Sequence, residues 1–123
     1  GRLIQTEDGI APTSTYGASK IYAEVLAEMY ARIHGIETIA VRIGTVIPNE
    51  EEHWARGGRL QATAFLAEDV RRFFQAAVEN PLGGYLLTSA QSDSPGRFLD
   101  LEPGQSVLNW TPIKWPDNAE NVQ

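Results

Sequence analysis

The chain has 123 residues, of which 42% are hydrophobic and 21% charged, ordinary values for one folded domain with a single core. Its formal net charge of −6 and its scattered basic residues argue against nucleic acid or an anionic membrane as the main partner. Cysteine is absent, which excludes disulfides and cysteine–zinc sites. Since no apolar run approaches the ~20 residues of a membrane span, we expect a cytoplasmic protein.

The first predicted element after a loop over 1–12 is a long helix over 13–34. Hydroxyl side chains at 13–15 are typical N-cap residues, and Gly35 is a natural C-cap. Apolar residues recur at three- and four-residue steps along it, which predicts a buried stripe. These residues are Tyr22, Val25, Leu26, Met29 and Ile33.

A strand and a long loop are predicted next. Residues 36–43 are rich in β-branched side chains and nearly all apolar, which predicts a strand buried on both faces, as in a parallel sheet. The polar segment 49–63 is predicted to be a substrate loop or lid. Its acidic run at 50–53 is interpreted as a solvated loop, and no metal site is predicted.

A second helix over 68–80 and a strand over 85–89 follow. The apolar residues of this helix again repeat at helical spacing, and they are Val70, Phe73, Phe74, Ala77 and Val78. The tail contains a possible short helix at 105–109 and is otherwise predicted to be irregular. The alternation of helix and strand predicts an α/β fold with parallel strands. Two or three strands make a poor sheet alone, so a part of the sheet is expected to be missing.

Tyr16 and Lys20 are the candidate catalytic pair. Their four-residue spacing places the two side chains on one face of the predicted helix. A cation close to a phenol favours the phenolate and so makes the tyrosine a better general acid/base. The spacing alone also fits a surface tyrosine beside a lysine that pairs with Glu24, and both interpretations stay open.

The segment "PTSTYGASKIYAEVLAEMYARIHGIETIAVRIGTVIP" resembles the active-site helix and following strand of the extended short-chain dehydrogenase/reductases, which have a Tyr-x-x-x-Lys motif. The resemblance continues through "FLAEDVRRFFQAAVENP", "GGYLLTSA" and "LNWTP", and so covers nearly the whole chain. "VRIGTVIP" is more similar to the uronate dehydrogenase branch than to the sugar-nucleotide epimerases. The fold implied is the C-terminal part of a Rossmann-like parallel sheet with a long active-site helix.

The resemblance also implies roles for particular residues. Tyr16 would be the acid/base, and Lys20 would hold the nicotinamide ribose of NAD or NADP. Ile43 and Thr45 would contact the cofactor, with Thr45 also at the substrate. Arg59 would receive the substrate carboxylate, for which its planar fork is suited. The substrate implied is a sugar or uronic acid, and a homodimer through the active-site helix is implied as partner.

The glycine-rich dinucleotide turn of this family has no counterpart in the sequence, since "RGGR" and "LGG" have the wrong spacing. The chain also starts at Gly1, which fits either removal of an initiator Met or a segment of a longer protein. We therefore expect 1–123 to be a single segment, the C-terminal half of such a domain without its N-terminal βαβ half. Alone, it is predicted to bind NAD weakly or not at all.

Two other functions remain open from the sequence. The chain fits a sugar-nucleotide epimerase or reductase of the same family, which a substrate panel separates from a uronate dehydrogenase. It also fits a non-catalytic binding or dimerisation module derived from the family, in which Tyr16 and Lys20 would tolerate replacement.

Overall fold

The computed structural model of the chain describes residues 1–47 and 59–115. After a 3₁₀ turn at Thr6–Asp8, the elements are α1 (Thr15–His34), β1 (Thr38–Ile43), β2 (Thr45–Ile47), α2 (Arg59–Thr63), β3 (Ala64–Leu66), α3 (Ala67–Glu79), β4 (Tyr85–Ala90) and α4 (Gly104–Leu108). Within these described ranges, no helix has both the length and the apolar character that crossing a membrane requires.

Both ends of α1 are set by local capping. Ser14 has an extended backbone, and its Oγ accepts a hydrogen bond from the Gly17 N–H. This cap makes the helix begin at Thr15, two residues after the predicted start at 13. At the other end Gly35 is left-handed, with φ 65°, and its N–H donates to the Ala31 carbonyl.

The strands form two short parallel sheets. β1 pairs with β4, with Thr38 opposite Tyr85 and Ile43 opposite Ala90. β2 pairs with β3, and Thr45 lies opposite Ala64. The second sheet was not predicted.

The predicted loop 49–63 is wrong over its last five residues, because Arg59–Thr63 forms a helix. Most of these residues are good helix formers. Residues 49–58 lie outside the described residues.

β1 is less buried than predicted. Its residues are half-buried, and Ile43 is exposed, although Ile39 and Val41 pack against the core. Helix α1 and strand β4 both contact β1, but the described residues place no strand on its other edge. The edge of β1 opposite β4 is therefore unpaired among the described residues, which adds to the exposure of the strand.

The core lies around β4, α3 and α4 and away from α1. Its buried residues are Phe65, Phe73, Leu86, Ala90, Leu101, Leu108 and Trp110. The Trp110 ring meets that of Phe73 edge to face, with centroids 5.2 Å apart. A second, smaller cluster joins Trp115 to β2 and β3.

The two apolar stripes predicted on the helices are only partly buried. On α1, Tyr22, Val25 and Ile33 are exposed, and Ala31 is its one buried residue. On α3, Phe73 is buried whereas Phe74 and Val78 are exposed. On α1, the wall that faces the groove beside β1 includes the small residues Ala23 and Ala27, and Leu26 and Met29 of the predicted stripe are half-buried.

Candidate active site

Tyr16 stands in the first turn of α1, and Lys20 one turn further along the same face. The Lys20 Nζ lies 5.4 Å from the centroid of the Tyr16 ring, a cation–π geometry. Tyr16 is 72% exposed, so its hydroxyl is open to a ligand. The pair therefore has the shared face that the spacing predicted, with the ammonium held at the ring.

The pair lines a groove of about 500 Å³ between α1 and β1. Its α1 wall is Tyr16, Lys20, Ala23, Glu24 and Ala27, and its β1 wall is Ala40, Val41, Arg42 and Ile43. Ile43 is the last residue of β1, and it lines the groove together with Tyr16. In parallel α/β sheets, ligands bind at the carboxyl ends of strands, which is where this groove ends.

An ion pair crosses the groove between Glu24 and Arg42. The Arg42 Nε and Nη2 donate to the two Glu24 carboxylate oxygens at 3.0 and 2.8 Å. Hydrogen bonding to Glu24 raises the pKa of Arg42 above its ordinary value, although partial burial opposes this. Glu24 thus joins α1 to β1, and the predicted alternative of a Lys20–Glu24 pair does not form.

Tyr85, the first residue of β4, lies in the electrostatic field of two acidic residues of α1, Glu24 and Glu28. Burial raises the pKa of Tyr85 above its ordinary value, and the negative charges of Glu24 and Glu28 act in the same direction. Arg42 partly offsets them.

Thr45 and Arg59 are connected to each other rather than to Tyr16. The Thr45 hydroxyl donates to the Thr63 hydroxyl at 2.9 Å, and Thr63 donates to the Arg59 carbonyl at 2.9 Å. Within the described residues, no hydrogen bond or ion pair joins Thr45 or Arg59 to Tyr16 or Lys20. Arg59 is exposed, and its guanidinium makes no hydrogen bond or ion pair within the described residues. Arg56, a second arginine of the predicted loop 49–63, lies outside the described residues.

Gly44 separates the two groups of residues. The chain leaves the first sheet after Ile43 and enters the second at Thr45. A Cβ at Gly44 would lie 2.2 Å from the Thr63 carbonyl oxygen, so the position admits only glycine without a backbone shift. The Gly44 N–H donates to the Ala90 carbonyl at 3.0 Å, which holds this crossing against β4.

Several residues that hold this region in place were not foreseen. Asp69 is fully buried, accepts hydrogen bonds from the Ser92 Oγ at 2.6 Å and the Ile113 N–H at 2.8 Å, and so connects three segments. Gln91 is also fully buried and donates to the Ala62 carbonyl of α2. The sequence offers only one signal for Asp69: an acidic residue in the first turn of α3 suits the helix dipole.

Metal chemistry has no support in the part of the chain that the structure describes. No group of three or more His, Cys, Asp or Glu side chains is arranged there to hold an ion. The acidic run at 50–53 lies outside those residues.

Comparisons with known proteins agree on one family. A model of the NAD dependent epimerase/dehydratase family matches residues 3–82. The chain is 32% identical to uronate dehydrogenase of Pseudomonas syringae pv. tomato over 72% of its length, covering 30% of that protein. It is 30% identical to L-arabinose 1-dehydrogenase (NAD(P)(+)) of Haloferax volcanii over 97% of its length, covering 48% of that protein.

A solved structure, a uronate dehydrogenase mutant from Agrobacterium tumefaciens complexed with NAD, matches 91% of this chain with a TM-score of 0.78 and 26% identity. The match covers 40% of that structure, so the chain spans less than half the length of these proteins. The predicted partial Rossmann-like α/β fold is therefore confirmed. With the match over 3–82, this chain belongs to the NAD dependent epimerase/dehydratase family.

Proposed function

We propose that this chain carries the acid/base part of an NAD(P)-dependent dehydrogenase that oxidises a uronic acid or a similar carboxylated sugar. The observation that carries the proposal is the Lys20 ammonium over the Tyr16 ring, in a groove that ends at the carboxyl end of β1. The similarity to uronate dehydrogenases and to L-arabinose 1-dehydrogenase supports oxidation of a sugar hydroxyl. We propose that this enzyme acts in the cytoplasm.

In this mechanism Tyr16 exchanges the proton of the substrate hydroxyl. Its phenolate oxygen accepts that proton as the carbon that bears the substrate hydroxyl loses a hydride. The positive charge of Lys20 lies beside the ring that carries this oxygen, and the exposed position of Tyr16 lets a sugar reach it. Nicotinamide, when bound, would supply the acceptor for the hydride.

The described residues fit one end of such a cofactor. The Lys20 ammonium has three donors suited to ribose hydroxyls, and Tyr16, Ile43 and Thr45 stand around the end of β1. No glycine-rich turn that would cradle a pyrophosphate occurs in the sequence. The fit therefore covers the nicotinamide ribose, while the phosphates need residues beyond this chain.

Arg59 is the residue we assign to the substrate carboxylate. It is exposed, and the Thr45–Thr63 hydrogen bonds hold the backbone of α2 beside the end of β1. A guanidinium without a partner among the described residues is available for bidentate binding of a carboxylate. The substrate would then lie between Arg59 and Tyr16.

We further propose that the enzyme forms a homodimer through α1. The exposed Tyr22, Val25 and Ile33 give this helix an apolar surface that a second copy would cover.

The test is reduction of NAD⁺ and NADP⁺ by the full-length gene product with three substrates: glucuronate, L-arabinose and UDP-glucose. The proposal expects reduction with glucuronate, weaker reduction with the uncharged pentose, and none with UDP-glucose. Preference for the nucleotide sugar would favour an epimerase or reductase instead. No reduction with any of the three substrates, from a protein shown to bind NAD, would contradict the proposal.

A further inference from the structure

Glu24 has two cations within reach, and only one of them holds it. Lys20 lies one helical turn before Glu24 on α1, whereas Arg42 lies opposite on β1. Arg42 binds both carboxylate oxygens, and the Lys20 Nζ lies instead at the Tyr16 ring, 5.4 Å from its centroid.

We propose that Arg42 is a positioning residue for the proton transfer: by occupying Glu24, it leaves the Lys20 ammonium free to face Tyr16 and the groove. Its contribution is to pair with a competing anion on the face on which Tyr16 and Lys20 lie. This inference rests on the proposed function, because the two residues it concerns are the ones to which that function assigns the proton transfer.

The geometry favours Arg42 over Lys20 as the partner of Glu24. A guanidinium matches a carboxylate with two parallel hydrogen bonds, whereas an ammonium offers a point charge. The side chains of Arg42 and Glu24 are only 28% and 18% exposed, so solvent weakens this pair less than a surface pair. In addition, lysine followed by glutamate is the weaker order for a pair four residues apart on a helix.

Without Arg42, the same geometry works against the active-site pair. Glu24 would be a largely buried carboxylate with no partner on β1, which is costly. The nearest cation on its own helix is Lys20, at the spacing that allows an ion pair. The ammonium would then move from the Tyr16 ring towards Glu24, one turn along α1.

The experiment is proton NMR of the 123-residue chain without cofactor. An ammonium over an aromatic face places the lysine ε-CH₂ protons in the ring current, so Lys20 should resonate upfield of a random-coil lysine, and Tyr16→Leu identifies the signal by abolishing the displacement. In Arg42→Met we expect at least half of that upfield displacement to be lost. In Arg42→Met/Glu24→Gln, which removes the competing charge, we expect it to return.

If Arg42 had only a structural role, the result would differ. The upfield displacement of the Lys20 signal in the double variant would then be no larger than in Arg42→Met. An unchanged Lys20 signal in Arg42→Met, or no return in the double variant, overturns the proposal. If Arg42→Met does not fold, Glu24→Gln alone carries the test. Its Lys20 signal should stay at the wild-type position, since Lys20 does not share Glu24 in the native chain, and a displaced signal overturns the proposal.

The result is separable from the fate of the proposed function, since the NMR readout needs neither cofactor nor substrate. In the full-length gene product, kcat for glucuronate oxidation should fall at least tenfold in Arg42→Met and recover in the double variant. If the NMR results are as expected but the enzyme shows no dehydrogenase activity, the proposed function is contradicted and this inference is not. An active enzyme whose Lys20 signal ignores Arg42 would contradict this inference alone.

Discussion

The Lys20 Nζ lies 5.4 Å from the centre of the Tyr16 ring, on the face of α1 that looks into the groove beside β1. The contact brings a fixed positive charge close to the phenol while the phenol stays exposed to solvent. The acid/base role proposed for Tyr16 needs both a cation close to the ring and access to the reacting hydroxyl.

Tyr16→Phe should lower kcat for glucuronate oxidation by at least about 100-fold, because a positioned acid/base contributes on the order of 10²- to 10⁴-fold. The measurement is NADH formation by the full-length gene product. Tyr22→Phe is the matched control, since Tyr22 is an exposed tyrosine of the same helix. Equal activity of Tyr16→Phe and Tyr22→Phe would remove Tyr16 from the mechanism.

The 123-residue chain alone should bind NAD weakly or not at all, because it has no glycine-rich turn for the pyrophosphate. Quenching of its three tryptophans on addition of NAD is the measurement. We expect no saturation at micromolar NAD, while the full-length gene product should saturate. Micromolar affinity of the isolated chain would show that the described groove suffices.

Asp69→Asn should destabilise the fold by about 1.5–3 kcal/mol, the range for losing hydrogen bonds to a buried charged group. Asp69 is fully buried and accepts from Ser92 and Ile113, so the amide leaves at least one donor poorly paired. Urea unfolding measures the change. Glu68→Gln, the exposed neighbour whose partner is Arg71, should have a clearly smaller effect. Equal effects would mean that Asp69 acts only as an N-terminal helix charge.

Gly44→Ala should destabilise by about 1–3 kcal/mol, as expected when a side chain is forced into filled space. The added Cβ would meet the Thr63 carbonyl oxygen at 2.2 Å, so the backbone at Gly44 or Thr63 must shift. The control is Gly17→Ala, where the nearest atoms lie at an ordinary 3.4 Å within a helix, so alanine should be neutral or stabilising. Thermal unfolding of both variants decides, and an unaffected Gly44→Ala would contradict the close approach.

The folded chain should lose stability in alkali through Tyr85. Burial raises the pKa of Tyr85 in the folded state, so its stabilising contribution is fully present below the unfolded pKa of about 10 and is lost as pH rises through the higher folded pKa. The free energy of unfolding of Tyr85→Phe should therefore fall less than that of the wild type above about pH 10. Tyr22→Phe keeps Tyr85 and should follow the wild-type curve. Parallel curves for all three proteins would refute the assignment.

The elements with strong local signals were predictable. The hydroxyl caps, the helical repeat and Gly35 predicted α1 over 13–34, and it spans Thr15–His34. Helix α3 and strand β4 were predicted over 68–80 and 85–89, and they span Ala67–Glu79 and Tyr85–Ala90. In each case, capping or turn residues stand at both ends of an apolar pattern. The element could therefore be predicted without knowing the fold around it.

The short elements and the partner choices were not predictable. β2 and β3 have three residues each, and such strands exist only through the pairing of Thr45–Ile47 with Ala64–Leu66. Nothing local indicates that Glu24 pairs with Arg42 rather than Lys20, because that choice depends on where β1 lies. The partner of Asp69 is distant for the same reason, since Ser92 is reached only after β4.

The change of sheet at Gly44 has a consequence for reach. Ile43 and Thr45 are two residues apart, so no more than about 7 Å of backbone joins the floor of the groove to the Thr45–Thr63 contact. In the proposed enzyme, a molecule lying along the groove and a second one held near Thr45 would therefore be separated by only a short gap, as the donor and acceptor of a hydride must be. A bulkier residue between them would widen this gap and slow the transfer even in a protein that still binds both molecules.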